Sequence, residues 1–182
     1  ISSIRHRILL TCFVIWCIVF LCCIDNAYCD ERLFGLFGLT AWGDIDDALS
    51  KASNNGFKIA ILPPDKNILD KAMKKNIKAL VTYWLKSEKT LDEKAWNEFL
   101  AKLKTSVGEL KTHPAVYAWY VVDEPDGQNM DVDKVRALVA TVKEVDRSKP
   151  MFTVLDNPRR WSDYIEWFDI IAVDPYLRKK IL

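Results

Sequence analysis

From residue 30 onward, short apolar runs alternate with stretches whose apolar residues recur every three to four positions. Leu33 to Leu39 reads as a first strand. Asp44 to Asn55 reads as a helix, with Asp44 as N-cap and Gly56 as stop. Phe57–Leu62 is a second strand, closed by Pro63 and Pro64, and Asp65 to Asn76 is a second helix. Ile77–Trp84 is a third strand. Thr90 to Leu110 is a long helix, with Thr90 and Glu93 spaced as a capping box. Its Trp96, Phe99, Leu100, Leu103, Val107 and Leu110 share one face. Val116–Val122 is a fourth strand, and Val132–Val145 a helix with valines and Leu138 on one side. Met151–Leu155 is a fifth strand, Trp161–Trp167 a short helix, and Asp169–Val173 a sixth strand.

Strict strand–helix alternation predicts a parallel sheet with crossover helices. Strands apolar on both sides predict burial of both faces. Two architectures satisfy this: an open doubly wound sheet or a barrel. No GxGxxG follows the first strand and no GxxxxGK[ST] occurs, so dinucleotide and P-loop readings lose their main support.

The first 29 residues differ from the rest. Arg5, His6 and Arg7 precede an uncharged run, Ile8 to Ile24, ended by Asp25 and Asn26. A basic start and an apolar middle describe a secretory signal peptide, with Ala27-Tyr28-Cys29 before the cleavage point and Asp30 after it. At 17 residues the run is also at the lower limit for a span, so an uncleaved N-terminal membrane anchor stands beside that reading. Either sends residues 30–182 across a membrane, to a secreted or extracytoplasmic location. The chain thus divides into 1–29, signal peptide or anchor, and 30–182, one folded domain, with membrane contact only through the first part.

Composition narrows the chemistry. All five cysteines lie within residues 12–29, so the folded part has no disulfide and no thiolate metal site. It has one histidine, His113, which excludes multi-histidine zinc sites and makes a Ser-His-Asp triad a poor reading. It carries 24 basic and 24 acidic side chains, a neutral balance with no electrostatic footprint for nucleic acid. No cofactor is expected.

Carboxylates stand at the C-terminal ends of strands, the edge where barrels and open parallel sheets place active sites. The fourth strand runs into Asp123-Glu124-Pro125-Asp126, the fifth into Asp156-Asn157-Pro158, and the sixth into Asp174-Pro175-Tyr176. Asp156 and Asp174 taken singly are ordinary turn residues before proline. Glu124 shares strand parity with Tyr120 and Val122, and a long acid continuing a buried strand is costly unless it serves a site. Trp42, Trp84, Trp161 and Tyr176 fall near strand ends, where aromatic rings can stack on sugars or simply pack.

The segment His113–Pro125, with Glu124 after an apolar strand and before proline, resembles the fourth strand of the (β/α)8 TIM-barrel glycoside hydrolases, where the pattern is Asn-Glu-Pro. Val145–Pro150, before the fifth strand, is also similar to that family, and Phe168–Tyr176 resembles its Asp-hydrophobic-Asp-x-Tyr strand. The resemblance covers about residues 32–176 and implies a fold, an activity and roles. The fold is a partial TIM barrel with about six of eight strand–helix units. The activity is hydrolysis of an oligo- or polysaccharide. Glu124 is implied as general acid/base, with Asp123, Trp84, Asp156, Asp174 and Tyr176 as substrate contacts. Asp123 replaces the family's asparagine, and an ionised Asp accepts a hydrogen bond from a sugar hydroxyl but donates none. Glycoside cleavage needs two carboxyl groups, and the family's nucleophile stands on a seventh strand. The expectation is therefore a C-terminally truncated barrel, inactive by itself, whose nucleophile lies beyond Leu182. Two other readings remain: a non-catalytic carbohydrate-binding barrel, and a Mg²⁺-assisted barrel enzyme using Glu124, Asp156 and Asp174.

Overall fold

The structure is a computed structural model and describes residues 35–36, 44–83 and 91–174. The N-terminal segment, Trp42, Trp84 and Tyr176 lie outside the described residues. Among the described residues six strands alternate with four α-helices. They are β1 (Gly35–Leu36), α1 (Ile45–Asn54), β2 (Ile59–Leu62), α2 (Lys66–Lys74), β3 (Lys78–Thr82), α3 (Glu93–Leu110), β4 (Val116–Tyr120), α4 (Val132–Val145), β5 (Phe152–Leu155) and β6 (Ile170–Val173). Among the described residues no helix is long and apolar enough to cross a membrane.

Each of these four α-helices begins on an aspartate. Asp44, Asp65, Asp92 and Asp131 each accept from backbone N–H groups of the first turn, which otherwise lack partners. The cap of α3 is thus Asp92, bonded to the Ala95 amide, and not the Thr90–Glu93 pair. Gly56 ends α1 at φ 82°, with its amide on Ser53 O and the Phe57 amide on Ala52 O. α2 closes the same way on Asn76 at φ 56°. This left-handed stop uses glycine or asparagine because other side chains crowd the backbone there. The expected helix at 161–167 is instead two 3-10 turns, Trp161–Asp163 and Ile165–Trp167.

All pairings are parallel. β1, β2, β3 and β4 form one ladder in chain order, and β5 pairs with β6. A bridge between Trp119 and Met151, with the Trp119 amide on Pro150 O at 3.0 Å, joins β4 to β5. Spatial order therefore equals chain order across all six strands. A doubly wound sheet reverses direction at a switch point; this one never does, which makes it an arc of a (β/α) barrel.

Strand parity sorts the core into two layers. Ile59, Ile61, Leu80, Ala118, Tyr120, Phe152 and Val154 pack together on the inner face. Ala60, Leu62, Ala79, Val81, Trp119 and Leu155 pack outward, against Leu49, Leu69, Leu103, Val107, Leu138 and Val142 of the helices. One irregularity sits in β4. Ala79 pairs with Val116 but Leu80 pairs with Ala118, so Tyr117 is the extra residue of a bulge. The bulge resets parity, placing Tyr120 inside and Trp119 outside.

Outside the sheet, the Trp119 indole N–H donates to Asp146 at 2.9 Å, and Asp146 also accepts the Ser148 amide and hydroxyl. The segment Asp146–Pro150 is thus a clasp for a fully buried tryptophan. His113 lies before β4, at the opposite end of the strands from the carboxylates. Its Nδ1 accepts the Ala115 amide, so Nε2 carries the proton and donates to Asp70.

Candidate functional site at the C-terminal strand ends

β4 ends at Tyr120, two residues earlier than its apolar run. Val121 and Val122 stay buried, and the chain then leaves the sheet. Glu124 does not continue the strand, so the parity argument for it fails. Its backbone sits at φ 44°, a left-handed conformation that costs a non-glycine residue about 1–3 kcal/mol and persists only where the surroundings enforce it. The Glu124 amide donates to Val154 O of β5 at 3.2 Å, and its carbonyl accepts from the Gln128 amide at 2.9 Å. The half-buried Glu124 is thus held at the mouth by the neighbouring strand.

Asp123 is half-buried beside it, and the Tyr120 hydroxyl donates to its Oδ1. Burial pushes the Asp123 carboxyl above its usual range. The Tyr120 hydrogen bond pulls the other way, and the charges of Asp174, Asp156 and Asp126 add to the rise. Tyr120 is itself pushed well above the ordinary phenol value, first by burial, then by Asp123, Glu124 and Asp174. It is buried edge-on against Phe152, with ring centroids 4.8 Å apart. Its ring packs in the core, and its hydroxyl holds a residue of the mouth.

Asp156 and Asp174 follow β5 and β6, and both are half-buried. The Asp174 amide donates to Leu155 O, which keeps the β6 end level with that of β5. Asp123, Asp156 and Asp174 thus gather on adjacent strand ends within electrostatic reach. Trp161 is in the 3-10 turn after β5, packed on the outer core. Among the described residues no three His, Cys, Asp or Glu side chains are grouped to hold a metal ion. Glu124, Asp156 and Asp174 therefore do not form the ligand set of the Mg²⁺ reading.

Asp126 was not singled out by its position in the sequence, because a polar residue before glycine reads as a turn. In the fold it is only 1% exposed. Its carboxylate accepts the Asn157 amide at 2.7 Å and the Asp156 amide at 3.1 Å.

No protein-family model matches the chain, and no curated protein matches it. Solved structures share its fold. A β-D-glucuronidase from Dictyoglomus thermophilum superposes with a TM-score of 0.56 at 20% identity, over 73% of this chain and 25% of that one. A β-galactosidase from the psychrophilic Marinomonas ef1 gives 0.63 at 9% identity, over 78% and 40%. The carboxyl transferase domain of Rhizobium etli pyruvate carboxylase gives 0.53 at 11%, over 73% and 26%. This chain therefore spans between about a quarter and two fifths of the length of these proteins. At such identities the likeness establishes the barrel-type fold, with glycosidases among its neighbours. The carboxyl transferase domain illustrates why fold alone does not select a chemistry.

Proposed function

We propose that this chain is part of a glycoside hydrolase-like barrel acting on an oligo- or polysaccharide outside the cytoplasm, with Glu124 as general acid/base. The observation that carries the reading is the place of Glu124. It is a long acid on the loop leaving β4, held by β5 at the mouth of a barrel arc. In that role Glu124 gives its proton to the glycosidic oxygen as the carbon–oxygen bond breaks, then takes a proton from the incoming water. Asp123 and the aspartates of β5 and β6 contact sugar hydroxyls, with Trp84 and Tyr176 as stacking platforms. The second carboxyl of the pair comes from a strand outside the six described, as in the resembled family. A separation of ~5–5.5 Å between the two gives retention, and ~6.5–9.5 Å gives inversion. The basic-then-apolar N-terminal segment supports export, by a cleaved signal peptide or an anchor. A non-catalytic carbohydrate-binding barrel is the second reading, favoured by Asp123 at the asparagine position with one oxygen already engaged by Tyr120.

The test uses the full-length protein and a panel of aryl glycosides. Glu124→Gln is expected to lower kcat by about 10²–10⁴-fold on poor leaving groups. The loss should be much smaller on dinitrophenyl glycosides, whose leaving group needs no proton. Equal activity of Glu124→Gln and wild type on poor leaving groups refutes the assignment. Sugar binding by calorimetry without any turnover selects the binding barrel.

A further inference from the structure

Two residues of the β4 loop, Asp126 and Gly127, have no place in the apolar core or in the roles assigned above. Asp126 is a buried carboxylate, and burying such a charge is costly unless hydrogen bonds compensate. Its partners are the amides of Asp156 and Asn157, two consecutive N–H groups left over where β5 ends. Successive amides of this kind form an anion-binding concavity, and here the loop before it supplies the anion. Gly127 follows. A Cβ there would lie 2.1 Å from Asp156 Oδ1, 2.5 Å from its Cγ and 2.6 Å from Oδ2. The Asp156 carboxylate therefore rests on the Gly127 backbone, and a Cβ there would displace it. The loop after β4 and the loop after β5 interlock from both sides: the Asp126 side chain on the β5 loop backbone, and the Asp156 side chain on the β4 loop backbone. Directly before this interlock stands Glu124, at positive φ and tied to β5 by its own amide.

We infer that Asp126 and Gly127 form a latch that locks the β4 loop onto the β5 loop and thereby sets the backbone of Glu124. Both are positioning residues. Neither touches substrate, and both act through Glu124, so their effect on turnover rests on the acid/base reading above. The latch itself is a structural claim and can be tested apart from that reading. Released from it, Glu124 is free to leave the left-handed region, and its carboxyl shifts. A displacement of about 1 Å of an acid is enough to cost on the order of 10²-fold in rate.

Hydrogen exchange on the full-length protein addresses the latch directly. The amides of Glu124, Asp156 and Asn157 should be protected in wild type. In Asp126→Ala all three should exchange at least tenfold faster, with the α3 and α4 amides unchanged. Unaltered protection at Glu124 in a folded Asp126→Ala protein overturns the inference, whatever the protein catalyses. Kinetics then addresses the consequence. Asp126→Asn and Gly127→Ala should each lower kcat about tenfold or more on poor leaving groups, with KM within threefold and a smaller defect on dinitrophenyl glycosides. Combining Asp126→Asn with Glu124→Gln should cost no more than Glu124→Gln alone. Equal losses on both leaving groups, or additive losses in the double variant, mean that the latch does not act through Glu124. If Asp126→Ala fails to fold, the same exchange measurement on Gly127→Ala decides, because that change leaves the buried carboxylate in place. Full activity of Glu124→Gln alongside accelerated exchange in Asp126→Ala removes the acid/base reading and leaves the latch standing.

Discussion

Burial and three neighbouring aspartates make the Asp123 carboxyl harder to ionise than a free one. The sign of its effect on stability follows from proton binding. Between the unfolded value, 3.8, and the raised folded value, the native state keeps a proton that the unfolded state has lost. Stability then falls as pH rises through that window. Asp123→Asn removes the titration and keeps an oxygen that accepts from Tyr120. It should therefore raise the melting temperature at neutral pH, with the gain shrinking to nothing as pH falls below about 4. An equal gain at all pH values would mean that Asp123 does not titrate abnormally. Sequence could place Asp123 at a strand end, but not its charge state. That depends on Asp126, Asp156, Asp174 and Tyr120, from three different strands and their loops.

At the scale of elements, the four α-helices were legible to within a few residues, while the stretch 161–167 forms 3-10 turns in place of the expected helix. An aspartate before each α-helix, and a glycine or asparagine after α1 and α2, are local signals that need no tertiary context. The β4 segment was not. Its bulge at Tyr117 depends on registry with β3, and its end at Tyr120 depends on where β5 takes over. The Asp146–Ser148 turn shows the same limit. Nothing local in it signals that it serves as the hydrogen-bond partner of buried Trp119. Burial opposes ionisation of Asp146, yet the hydrogen bonds from Ser148 and Trp119 outweigh it and hold its carboxyl below the usual range. Asp146→Ala should destabilise the protein by about 1–3 kcal/mol in urea titrations at neutral pH, because the indole N–H loses its partner in the interior. The part of this due to ionisation is present above 3.8 and disappears as pH falls through the lowered native value. No change in midpoint at neutral pH would show that the clasp is dispensable.

Across the whole molecule, the four-stranded ladder and the β5–β6 pair meet through the Trp119–Met151 bridge, hydrogen bonds such as that of the Glu124 amide to Val154 O, and an inner-face contact, Tyr120 edge-on to Phe152. Phe152 is 1% exposed and packs among residues of the other strands. Phe152→Ala should cost about 3–5 kcal/mol, read from denaturant midpoints. Met73→Ala, at a position 39% exposed on α2, should stay within about 0.5 kcal/mol. Comparable effects of the two would contradict an inner layer that joins the arc. The choice between barrel and doubly wound sheet belongs to this scale as well. Both produce the same alternation along the chain, and only the unbroken spatial order β1 to β6 separates them.

The sequence alone determined the element order, the extent of the four α-helices to within a few residues, the two-sided burial of the strands and the presence of Asp123, Glu124, Asp156 and Asp174 just after the strands. These follow from periodicity and from residues whose preferences act over a few neighbours. Tertiary structure decided the sheet order, the bulge that turns Tyr120 inward, the left-handed backbone of Glu124 and the burial of Asp126. Each of these depends on contacts between segments far apart in the sequence. A carboxylate has the same composition whether it lies in water or between two loops, and only the packing around it sets its charge and its role.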